Sequence, residues 1–163
     1  MEIGAKLIAQ RAVQMLPPIM RDTIKQYYAY TADFLPLTAS LTATTPFTVQ
    51  ADTDFIVTHL TAVVTDTANT TFLSLVPQTV QIVDASTGMA WFNGVNGTHF
   101  NNVFGDAQNP GFLALPYYLR ANSTVNVTLV NLEAVNRNVR LAFHGFKSVP
   151  GSNWENGYIG GGR

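Results

Sequence analysis

Three histidines, His59, His99 and His144, are the side chains of this sequence best suited to metal or acid–base chemistry. No two of them have the i, i+2 or i, i+4 spacing of a chelating pair, so a three-histidine zinc site would have to be assembled by the fold. Outward strand positions or loop hydrogen bonds are the simpler roles for them. Asp52, Asp54, Asp66, Asp84 and Asp106 raise calcium or paired acids. A calcium loop gathers ~6–8 oxygen ligands, whereas these acids are dispersed at expected strand ends, where aspartate favours turns. None of Ser40, Ser74, Ser86, Ser123, Ser148 and Ser152 sits in a G-x-S-x-G elbow. Gly160–Gly162 lacks the following Lys-Ser/Thr of a phosphate loop. Trp91, Phe92, Phe100 and Phe104 suggest a stacking face for sugars or bases, with Trp91 and Phe92 as the platform of a carbohydrate-binding alternative. Aromatics more often fill a sandwich core. The expectation is a non-enzymatic protein with no catalytic, cofactor or metal site.

Composition points the same way. Charged residues make up 12% of 163 residues and the formal net charge is −1, against a usual charged share of ~25%. Such a chain lacks the field of a nucleic-acid binder or a basic membrane-surface protein. Its neutral, Thr- and Asn-rich surface fits either a neutral soluble domain or a protein largely covered by partners. There is no cysteine, which excludes disulfides and thiolate chemistry. No run of ~18 apolar residues spans a membrane, and the first 21 residues carry Glu2, Lys6, Arg11 and Arg21 rather than the pattern of a secretory signal.

Two textures position these residues. Ile3 to about Tyr28 are helix formers interrupted at Pro17-Pro18. Ile3 and Leu7 lie on a loose helical stripe, and Ile19–Tyr27 suggests a second short helix. Leu37–Pro46 is extended and Thr-rich. Residues 1–46 therefore read as an N-terminal helical and extended arm, with Ile3, Leu7, Met15, Ile19, Tyr27, Tyr28 and Tyr30 as its partner-binding side chains. From Phe47 the period is two. Val125, Val127 and Leu129 oppose Asn126 and Thr128, while Val139, Leu141 and Phe143 oppose Arg140 and His144. Asn131–Arg137 between these strands suits a hairpin. Asp54–Val64, with Ile56, Leu60, Ala62 and Val64 alternating with Thr58, Thr61 and Thr65, is another strand. Thr79–Val83 turns at Asp84–Gly88 into Met89–Phe92. Phe47–Gln50, His99–Phe104 and Leu113–Leu119 are shorter candidates. Residues 47–147 thus predict an all-β antiparallel sandwich or jelly roll, and residues 148–163 a flexible tail.

Several segments also resemble a known group. These are Asp54–Val63 (DFIVTHLTAV), Gln78–Gly88 (QTVQIVDASTG), Asn102–Asp106, Leu115–Ser123 and Leu141–Lys147. Their order is similar to that of small virion structural proteins of tailed bacteriophages. The resemblance covers about three-fifths of the chain and rests on fold-bearing patterns, not on a catalytic signature. It implies a capsid decoration (cement) protein that bridges capsid subunits. Its partners would be the major capsid protein or other virion proteins, and it would act as a dimer or trimer with no nucleic acid or membrane contact. A neck, tail, head-fibre or penton-like vertex component is the alternative within the particle. The virion would be its location, after synthesis in the bacterial cytoplasm.

Overall fold

The computed structural model describes residues 25–92 and 97–148. Within them the strands are β1 (Lys25–Leu37), β2 (Thr42–Thr48), β3 (Asp54–Thr65), β4 (Gln78–Asp84), β5 (Met89–Ala90), β6 (Thr98–His99), β7 (Gly111–Leu119), β8 (Thr124–Asn131) and β9 (Arg137–Ser148). They form two antiparallel layers, one ordered β1-β9-β3-β7 and the other β2-β8-β4-β5, with β6 also on β4. The pairs β1–β9, β2–β8, β3–β7 and β4–β5 nest inside one another. The chain is therefore one long hairpin, closed at Asp84–Gly88 and rolled so that alternate pairs fall in opposite layers.

Period-two patterning explains which faces meet. In β8, Val125, Val127 and Leu129 are buried between their half-buried neighbours, and in β9 Val139, Leu141 and Phe143 are buried on the face opposite the exposed Arg140 and the half-buried Ala142 and His144. The layers close over these side chains together with Phe47, Phe55, Leu60, Ile82 and Leu119. In β3 the inward parity changes midway. Phe55 and Val57 point inward, then Leu60 and Val64 do, because Thr58 is an extra residue between the pairs Val57↔Gly145 and His59↔His144. This β-bulge turns His59 to the outer face.

The sandwich differs from the sequence expectations in four places. It begins at Lys25, not Phe47: β1 pairs along β9, and Tyr30, Ala32, Phe34 and Leu37 are buried. Residues 25–37 and 42–48 are thus strands of the body and not part of an arm, and Lys25–Tyr27 are extended, not helical. Burial of one face of β1 outweighs the helix propensity of its residues. The segment Asn131–Arg137 is not a hairpin turn, since β8 pairs with β2 and β4 while β9 pairs with β1 and β3. It crosses between layers around the buried Asn131, whose amide donates to the Val135, Thr38 and Leu37 carbonyls and accepts from Glu133 N. Phe100–Asn102 is a 3-10 turn instead of a strand, with the Val103 and Phe104 amides both donating to Phe100 O. That turn aims Phe100 and Phe104 together into the core, 5.2 Å apart. Finally, the strand expected at Met89–Phe92 is only Met89–Ala90.

Candidate interaction surface

Of the side chains assigned to the arm, Ile3, Leu7, Met15 and Ile19 lie outside the described residues. Tyr30 belongs to the core: its ring stacks on Phe47 at 5.4 Å and meets Phe55 edge-on at 4.8 Å, and its hydroxyl accepts from Gln50 N at 3.0 Å. Tyr28 is half-buried beneath Lys147, whose ammonium sits 3.4 Å from the ring centroid and donates to Gln50 Oε1. Lys147 is only 7% exposed, and the aromatic face together with the amide replaces the water its charge has lost. Tyr27 points outward and, of the three tyrosines, presents its ring to solvent.

The bulge and the β3–β9 register bring two of the three histidines together. His59 and His144 stack with centroids 4.7 Å apart and planes 3° apart. His99 lies on β6 in the opposite layer. The His144 ring uses both nitrogens, Nδ1 with the Tyr27 hydroxyl at 2.6 Å and Nε2 with Thr61 Oγ1 at 2.8 Å, so one accepts and the other donates. His59 Nδ1 meets Thr58 Oγ1 at 2.9 Å, and Phe112 flanks the ring. Among the described residues no three metal-ligating side chains converge. The hydrogen-bond partners of the pair are the hydroxyls of Tyr27, Thr58 and Thr61, and among the described residues no carboxylate bonds either ring.

Burial, and secondarily the neighbouring His144, holds the His59 imidazolium down to about 4; burial also lowers His144. In the unfolded chain both titrate near ~6.5. Between those values the unfolded state binds more protons. The contribution is therefore whole above ~6.5 and is lost as pH falls toward about 4. Urea midpoints across that range should show wild-type protein losing more stability on acidification than His59→Gln; parallel curves would exclude the histidine stack as the cause.

The aspartates fasten turns. Asp66 accepts from Thr70 N and Oγ1, Asp84 from Ser86 N and Thr87 Oγ1, Asp106 from Gln108 N and Asn109 N, and Asp54 from Tyr118 Oη and Ala121 N. Trp91 is no open platform. It stacks on Tyr117 at 4.2 Å, meets Phe143 edge-on and, with Phe92, is half-buried against the core. Among the described residues no helix is long and apolar enough to cross a membrane.

The feature that sequence reasoning missed is one end of the sandwich. The antiparallel order places the β1–β2, β3–β4 and β8–β9 connections together. Leu35, Leu41, Phe72, Leu75, Leu132 and Val135 are exposed there, Phe72 and Leu75 by 77% and 79%. Hydrogen bonds tie the loops into one unit: Ser40 N to Glu133 O, Asn131 N to Leu41 O, Leu132 N to Pro77 O and Asn138 Nδ2 to Thr67 O. Isolated exposed apolar residues need no explanation, but several at one braced end make that end a candidate interaction surface. Phe72 and Leu75 inside an otherwise Thr- and Ser-rich loop were the available signal.

Comparison of the chain with protein-family models, with curated proteins and with solved structures gives no match.

Proposed function

We propose that this chain is a structural virion protein, a capsid decoration (cement) protein of a tailed bacteriophage, built as a jelly roll that seats its apolar end on capsid subunits. The observation that carries the reading is the braced apolar end on a body whose surface has few charges. A rigid platform of this kind binds by burying apolar area, and its loops are already ordered, which reduces the entropy lost on docking. The nested strand order supports the jelly roll, an architecture used by viral capsid domains and also by lectins and cupins. Fold alone does not choose among those. The stacking of Trp91 on Tyr117 and the half-burial of Trp91 and Phe92 weigh against the carbohydrate-binding alternative, and the resemblance to phage virion proteins favours assembly. In this proposal Ile3, Leu7, Met15 and Ile19, which lie outside the described residues, are partner contacts, and the major capsid protein is the partner.

The test uses particles of the phage encoding the chain, assembled without it and mixed with purified protein. Phe72→Asp with Leu75→Asp should lower the bound fraction at least about tenfold while leaving the thermal midpoint close to wild type. Full occupancy by that variant would overturn the proposal. A truncation testing the arm has to stop at residue 24, because β1 begins at Lys25.

A further inference from the structure

We infer that the chain self-associates through the free edge of β1, pairing antiparallel with β1 of a second copy to make one continuous eight-stranded sheet. The four edges of the sandwich are unequal. On β7, Phe112 and Tyr117 pair with His59 and Val57, so Leu113–Pro116 loop out opposite Thr58. β2 carries Pro46 at its centre, and β5 and β6 have two residues each. Bulges, prolines and short strands are the devices that keep edges from pairing. β1 has none of them from Lys25 to Phe34, where its register on β9 is unbroken.

The direction of its backbone groups follows from one contact. Asp33 O accepts from Thr45 Oγ1 at 3.3 Å, on the side away from β9. Alternation along an antiparallel strand then turns the N–H and C=O groups of Tyr27, Ala29 and Thr31 outward as well. Among the described residues nothing else bonds them. A second copy fits this edge about a two-fold axis at Ala29. Ala29 then faces its own counterpart and Tyr27 faces Thr31, inside the stretch that ends where Thr45 bonds Asp33 O. About six backbone hydrogen bonds form in this register, and the isologous contact closes as a dimer instead of propagating. The small Ala29 side chain leaves the axis unobstructed. The inference rests on the sheet edge alone and is independent of the role in a particle.

Sedimentation equilibrium on the full chain should give twice the 17.7 kDa protomer mass. Thr31→Pro deletes an outward N–H without touching the β9 ladder, since proline is tolerated on an edge facing solvent. Ala29→Lys sets two ammonium groups across the axis. Both variants should keep the wild-type far-ultraviolet spectrum and self-associate at least about tenfold more weakly. A wild-type chain that stays monomeric at every concentration overturns the inference. So do two folded variants that dimerise as wild type does.

Discussion

Gly145→Ala is expected to cost about 3 kcal/mol or more. A Cβ built at Gly145 would lie 1.9 Å from Ile56 O and 2.8 Å from its carbonyl carbon. The obstacle is backbone, held by the Val57↔Gly145 and Ile56↔Phe146 pairs, so no rotamer change relieves it. Relief requires β3 to move off β9 at the bulge, in the middle of a sheet. Domains of this size are stable by only ~5–15 kcal/mol, so the loss is a large share of the total. Urea denaturation of Gly145→Ala beside wild type measures it; a midpoint within error of wild type would show that the bulge yields freely.

Phe143→Ala is expected to lower stability by about 3–5 kcal/mol. Phe143 is fully buried on β9 and joins the layers: Phe47 of β2 lies 4.7 Å from its ring, while Trp91 and Phe104 meet it edge-on at 5.8 and 5.9 Å. Truncation leaves a cavity bordered by rings from several segments, each fixed by other contacts, so collapse around it is limited. The exposed Phe112, truncated in the same way, should cost roughly 0.5 kcal/mol or less. A shift in urea midpoint at unchanged slope for Phe143→Ala, with almost none for Phe112→Ala, is the expected pattern. Equal effects would mean that the core is not organised around Phe143.

The strands legible in the sequence were those whose alternation is local and clean. β8 and β9 show Val125, Val127 and Leu129, then Val139, Leu141 and Phe143, each set against polar neighbours, and these are the residues buried. β1 was obscured because Tyr27 and Ala29 on its outer face are not polar, and the tyrosine-rich start resembled the preceding helix formers. The β3 bulge left a trace in the change of parity between Val57 and Leu60, but a parity break does not reveal which residue is extra. The histidine stack left none, and the apolar end left only Phe72 and Leu75 in their loop, because each gathers residues from strands and loops far apart in the chain.

By itself the sequence determined the class of structure and the inward face of most strands, since the choice between helix and strand and between inside and outside follows from neighbours one or two positions away. Only the tertiary structure decided which strands meet. Nesting β1 on β9, β2 on β8 and β3 on β7 turned an expected hairpin into a crossing between layers and drew an expected arm into the body. It also set His59 beside His144 and brought three apolar loops to one end. Strand pairing is non-local, and each alternating strand offers the same kind of apolar face, so local pattern does not rank its possible partners. That choice is made by the summed packing of both layers, by Gly145 admitting the bulge and by Asn131 fastening the crossing.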